Sequence, residues 1–351
     1  WARIPEVRVL LARVSHEVEY QVNGGHDGEL AGETTFTTTL PLSWPVTASG
    51  SQLLVDGIEV AGELTLSPEA GVFEWNGRQY RGSIRFVAQE GELLVVNVLD
   101  VESYLRGVIA SEMLARWPHE ALKAQAVAAR TYTLSELDPE GPYDICATTD
   151  CQVYGGVMAE DPRTDQAIAD TFGLILTFEG EPARTYYHSD SGGVTASGAE
   201  VWGEASPYLV RLDDVSAATP HRAWQQQLDP WLAAEVLARA GHHVGRVNSL
   251  RITEYSDSGR AARATVVGAN GSVTLSGKEL TDFLRGSGLK STRLRMIGDL
   301  VAQGDGWGHG VGMSQYGARQ LARNGYDFSQ ILHFYYPSTT LQQIASHAAD
   351  R

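Results

Sequence analysis

Over residues 7–99 the chain alternates short apolar and polar runs, broken by turn signals at Ala48-Ser49-Gly50, Asp56-Gly57, Asn76-Gly77 and Glu90-Gly91. Alternation with period two predicts strands, among them residues 35–40, 72–75 and 83–87, and Asn76-Gly77 marks a hairpin. The period changes at Asp100. Val101, Leu105 and Val108 follow one another at spacings of four and three, which predicts an amphipathic helix. After Trp117-Pro118 a second helix is expected over residues 119–137. Proline suits its first turn, and Ala121, Ala124, Ala126, Ala128 and Ala129 raise helix propensity and allow close packing. A turn-rich stretch then leads to a helix near 165–171 and strands at 174–178 and 184–188. Residues 224–299 read as an inserted module: helix 230–240, strands 249–255, 262–267 and 272–275, and helix 278–285. Two further helices are expected, one through Leu321 and one at 330–335. The fold class expected is α+β, with a β-rich region at 1–92 packed on a mixed core at 93–342 that carries the inserted module.

Composition narrows the classes of partner. The chain has 351 residues, 43% of them hydrophobic and 20% charged, as in an ordinary folded protein. Its 27 Lys and Arg against 43 Asp and Glu give a net charge of −16, which argues against nucleic acid as a partner of the whole surface. Residues 93–99 form an apolar run of only seven residues, interrupted by Asn97, far short of the roughly 20 that a membrane helix needs, so no span is expected. The chain opens on Trp1 with no basic and apolar leader, so any export signal or anchor is expected to have been removed upstream. The two cysteines, Cys146 and Cys151, are close in sequence. A local disulfide in an oxidising compartment is expected, contributing about 2 kcal/mol in the chain-entropy model. Half of a zinc site and a pair of free thiols are the competing readings.

Three places could carry chemistry. Glu112 continues the stripe of Val101, Leu105 and Val108, so a carboxylate falls where apolar side chains are otherwise found. Partial desolvation there raises a carboxyl pKa and suits a general acid; the plainer reading is an ion pair with Arg130. The run Tyr187-His188-Ser189-Asp190-Ser191-Gly192-Gly193-Val194-Thr195 concentrates hydroxyls and an imidazole. A polar loop for a hydroxyl-rich ligand suits it better than a Ser-His-Asp triad, which needs a defined spatial geometry. The glycine-rich run at 304–317 lacks the Lys-Ser/Thr ending of a phosphate loop but brings together Trp307, His309, Ser314, Gln315 and Tyr316, a set suited to stacking on and hydrogen bonding to sugars. No metal or nucleotide motif appears, so no cofactor is expected. A cysteine hydrolase using Cys146 or Cys151 with His309 is another reading.

The runs Val101-Glu102-Ser103-Tyr104-Leu105-Arg106-Gly107-Val108-Ile109-Ala110-Ser111-Glu112-Met113 and Glu120-Ala121-Leu122-Lys123-Ala124-Gln125-Ala126-Val127-Ala128-Ala129-Arg130-Thr131-Tyr132 closely resemble the stage II sporulation protein D (SpoIID) family, also called the LytB or amidase-enhancer family. Blocks at 144–155, 188–195 and 306–318, and Ile331-Leu332-His333-Phe334-Tyr335-Tyr336-Pro337, agree with it, so the resemblance covers residues 93–341. It implies a lytic transglycosylase that cleaves peptidoglycan glycan strands between N-acetylmuramic acid and N-acetylglucosamine. The strands would be ones stripped of stem peptides, and the action extracytoplasmic, in the periplasm, cell wall or medium. Glu112 would be the acid and base, and 1,6-anhydro ends the product. The matching blocks imply substrate contacts by Gln125, Arg130, Gln152, Tyr187, His188, Ser189, Ser191, Gly193, Thr195, Trp307, His309, Ser314, Gln315 and Tyr316, with Arg130 serving either the fold or anionic groups. The alternative implied is a non-catalytic peptidoglycan-binding protein that stimulates a cell-wall amidase. Leu114 stands where the family commonly has Pro. Asp150 stands where some relatives have a zinc-binding His, which favours the disulfide at Cys146 and Cys151 over a metal.

Overall fold

Residues 93–99 are apolar except for Asn97 because the strand they form, Glu92–Asp100, is buried on both faces. In a computed structural model describing residues 4–22, 25–30, 34–38, 42–215 and 219–344, this strand lies between Glu6–Val14 and Ser83–Gln89, to which it pairs antiparallel. The seven-stranded sheet continues outward through Glu63–Pro68, His26–Leu30 and Thr34–Thr38 on one side, and ends at the short strand Ile145–Cys146 on the other. Thr39 and Leu40, expected in the strand at 35–40, lie outside the described residues. A four-stranded sheet is built from Val18–Val22, Leu42–Ser49, Gln52–Val55 and Ile58–Ala61. Val72–Trp75 and Arg78–Arg81 form a hairpin. Asn76 and Gly77 turn it with φ of 50° and 72°, the positive pair a type I′ turn requires.

Helix α1, Val101–Glu112, follows the central strand without a loop. Asp100 caps it by accepting a hydrogen bond from the Ser103 amide, satisfying one of the first-turn donors. Its buried face contains Val101, Tyr104, Leu105, Gly107, Val108 and Ile109. Helix α2, His119–Ser135, is buried almost continuously from Ala121 to Leu134, a placement its small alanines allow. Helix α3, Pro162–Asp170, packs against both.

The chain divides into two compact units, Trp1–Arg184 with Leu341–Arg351, and Thr185–Thr340. The first holds the seven-stranded and four-stranded sheets, the hairpin and α1 to α3. The second contains α4 (Gly198–Trp202), α5 (Pro230–Arg239), α6 (Gly277–Gly286), α7 (Gln315–Arg323) and α8 (Phe328–Tyr335). It also contains the antiparallel meander Val247–Tyr255, Ala261–Gly268 and Gly271–Ser276. Leu237 of α5 and Leu280, Phe283 and Leu284 of α6 bury with Leu250, Val266 and Leu275 of the meander in one core, which also takes in Trp224, Leu294 and Ala302 from a second small sheet. The architecture is α+β.

Candidate functional site

In the first unit, Glu112 is the last residue of α1 and is partly buried. Its Oε1 accepts a hydrogen bond of 2.8 Å from the Val153 amide. Val153 reaches it because residues 152–156 lie along the helix, and several features hold them there. Cys146 and Cys151 form a disulfide, with Cα atoms 5.5 Å apart, that closes the preceding loop. Gln152, fully buried, donates from Nε2 to Thr133 Oγ1 of α2 at 2.8 Å. Tyr154 packs its ring 4.9 Å from that of Tyr104 and donates from its hydroxyl to Asn97 Oδ1. Asn97 is thereby satisfied inside the central strand, since its Nδ2 also donates to the Arg81 and Ser83 carbonyls. Gly107 makes the close approach possible: a Cβ there would stand 2.5 Å from the Tyr154 ring. The Gly155 amide donates to the Gly107 carbonyl, tying the loop to the helix once more.

Arg130 is a correction to the substrate-binding set, and to the ion pair with Glu112. Its guanidinium is fully buried and forks onto Glu102, with Nε to Oε1 at 2.6 Å and Nη2 to Oε2 at 2.8 Å. Nη1 donates to the Leu174 carbonyl. This fork joins α2 to α1 and leaves no surface for a ligand. Gln125 and Gln152 also have no exposed surface. Both sulfurs lie in the disulfide, so neither is a thiolate nucleophile or metal ligand. The cysteine hydrolase loses its nucleophile, and the donors for a zinc site here do not fit.

The second unit holds the other candidates. A short parallel ladder pairs Tyr187 with Met313 and His188 with Ser314, and an isolated bridge pairs Asp190 with Trp307, so the two motif loops run side by side. Several of their polar groups turn inward, which corrects their assignment as ligand contacts. Ser191 donates to Asp214 Oδ2 and accepts from the Gly193 amide. Thr195 donates to the Val210 carbonyl and accepts from the Leu212 amide. Ser314 caps α7 by accepting from Gly317 and also accepts from the Ser191 amide. All three are fully buried, and His188 and Gln315 nearly so. A tightly turned loop leaves backbone groups that strands would pair, and these hydroxyls satisfy them. Asp214 also receives the Tyr335 hydroxyl at 2.6 Å, and burial holds its carboxyl above the ordinary range.

Accessible surface remains at Tyr187, Ser189, Gly193, His309 and Tyr316, and most of all at Trp307, which is 48% exposed. His309 Nε2 lies 2.9 Å from the Tyr187 carbonyl and Nδ1 3.1 Å from the Val311 amide, a pairing that assigns the proton to Nε2 in the neutral ring. Burial lowers its pKa to about 4 from 6.5, and burial lowers that of His188 in the same direction. Above pH 6.5 both rings are neutral folded or unfolded, and the stability is fully present. Below it the unfolded chain takes up protons that the folded rings refuse, so stability falls, and the His309 share of that fall is complete at about pH 4. Urea unfolding of wild type and His309→Gln across this interval should show the steeper loss in wild type; equal slopes would exclude His309 as a contributor.

No sequence motif marks the Val153 amide, which is a backbone group, or Asp214.

Residues 89–178 match the family model described as SpoIID, stage II sporulation protein, and residues 221–312 match a domain of unknown function (DUF8618). An uncharacterized protein of Brachyspira hyodysenteriae is 34% identical over 75% of this chain and 72% of its own length. The stage II sporulation protein D of Bacillus subtilis is 31% identical over 71% of this chain and 76% of its own. The amidase enhancer of Bacillus subtilis is 32% identical over 76% of this chain but only 44% of its own length.

Proposed function

The chain belongs to the stage II sporulation protein D family, and from that premise we propose that it is an extracytoplasmic lytic transglycosylase acting on peptidoglycan glycan strands, with Glu112 as its single acid and base. Family membership supports a role at the cell wall. The observation that carries the finer reading is the carboxylate of Glu112, partly buried at the end of α1 and oriented by the Val153 amide.

In this reaction the Glu112 carboxyl donates its proton to the oxygen linking C1 of N-acetylmuramic acid to the next N-acetylglucosamine. The C1–O bond breaks and positive character develops at C1. The muramic C6 hydroxyl closes on C1, and the carboxylate takes the proton that hydroxyl releases. One group returns to its starting state, no water is consumed, and the product ends in a 1,6-anhydro ring. A hydrolase working with two carboxylates needs a second at a defined separation; a transglycosylase does not.

Mass spectrometry of strands stripped of stem peptide and treated with purified protein tests the proposal. Fragments with anhydro ends are expected. Reducing ends would mean hydrolysis and overturn the transglycosylase. The name of the amidase enhancer relative supports a second reading, a glycan-binding partner of a cell-wall amidase. Intact strands, with bound protein and faster release of stem peptides by added amidase, would decide for that reading.

A further inference from the structure

Trp307 is exposed yet rigidly held. Its amide donates to the Asp190 carbonyl at 2.8 Å, and its carbonyl accepts from the Asp190 amide at 3.0 Å. The flanking Gly306 and Gly308 adopt φ of 81° and 106°, and a Cβ on either would stand within 2.8 Å of the neighbouring chain, so only glycine admits this path. His221 meets the indole edge-on at 4.9 Å and the Tyr316 ring edge-on at 5.2 Å, fixing both. His221 is only 8% exposed, and its Nδ1 has no hydrogen-bond partner among the described residues.

A cation stands over this platform. Lys290 places its ammonium 5.4 Å from the Trp307 ring centroid, and among the described residues it forms no ion pair. In a chain with a charge of −16, a partly exposed lysine that pairs with no carboxylate among the described residues is a local departure from the surface as a whole. The Lys290 carbonyl accepts from the Gly308 amide, so the two segments carrying the indole and the ammonium are tied together next to the ring. Trp231 is more exposed, at 66%, but it lies in the first turn of α5, and among the described residues no cation stands over its ring.

An indole contributes a flat apolar contact for the C–H groups of a pyranose, and an ammonium contributes a partner for an anion. N-acetylglucosamine, being neutral, uses only the first. An N-acetylmuramic residue whose stem peptide has been hydrolysed away uses both, because the lactyl ether then ends in a free carboxylate. In an intact strand that carboxyl is an uncharged amide. We propose that Trp307 and Lys290, fixed by His221, form a subsite for muramic residues with a free lactyl carboxylate, with Lys290 as the group that reads the charge. This rests on the glycan reading above and assigns a role to the segment at 221–312, which contains all three residues.

The test measures binding rather than cleavage, by titration calorimetry on the full chain carrying Glu112→Gln so that strands stay intact. The ligands are soluble N-acetylglucosamine–N-acetylmuramic acid oligomers with free lactyl carboxylates and the same oligomers converted to methylamides. The free acid is expected to bind about tenfold more tightly. Lys290→Gln should bring the ratio to about one, Lys290→Arg should keep it, and added salt should diminish it. Trp307→Ala should weaken both ligands together. A ratio unchanged by Lys290→Gln would overturn the subsite and leave the glycan reading standing. Failure of the parent protein to bind either oligomer would overturn both.

Discussion

Glu112→Gln is expected to lower the release of anhydro fragments on the order of 10³-fold, within the range that one acid and base commonly contributes. The substitution is narrow in its effect. Glutamine keeps the volume of the side chain and a carbonyl oxygen able to accept the Val153 amide, so the arrangement at the end of α1 should survive. What disappears is a proton that can be donated and retrieved. Binding of stripped strands should persist with an unchanged urea midpoint, placing the loss in the chemical step. Glu112→Asp gives a second reading of the same geometry. It keeps the acid but withdraws it by one methylene, and a substantial loss is expected there also, since proton transfer depends on position. Wild-type rates in Glu112→Gln would remove Glu112 from the chemistry and shift support to the amidase-stimulating reading.

How much of this was legible in the sequence depends on the range of the interactions involved. Helix α1 could be read from Val101, Leu105 and Val108 because their period is a local property, and all three bury as that period requires. The hairpin at Asn76-Gly77 was equally local. The partner of Glu112 was not legible. Val153 lies 41 positions away beyond a disulfide-closed loop, and a backbone amide carries no residue-type signal. The hydroxyl-rich run at 187–195 was misread for a related reason. In a strand or helix, period separates inside from outside, but an irregular loop has no period, so Ser191 and Thr195 could not be recognised as internal hydrogen-bonding groups. His221 and Lys290 escaped notice because each is an isolated residue, and only the fold brings them to Trp307.

Arg130 carries the largest expected effect on stability, and its partner is Glu102 rather than Glu112. Its guanidinium is fully buried, and the Glu102 side chain retains only 12% exposure, so removal of either leaves a charge nearly stranded from water. Arg130→Ala should destabilise the protein by about 3–5 kcal/mol, the usual result of breaking a buried pair on one side. The Leu174 and Ile168 carbonyls would lose donors as well. Urea unfolding measures this directly, and a loss under about 1 kcal/mol would rule out the fork as a structural tie. The double variant Glu102→Gln/Arg130→Met should recover part of the stability, because it removes both charges and retains most of the volume. The kinetic counterpart separates the two roles. If Arg130 serves only to join α1 to α2, the double variant under conditions where it is folded should keep its KM for glycan strands, whereas a residue that touches substrate would raise KM in every variant. An unchanged KM with a lowered urea midpoint is the expected combination: the arginine holds in place the helix whose last residue is Glu112.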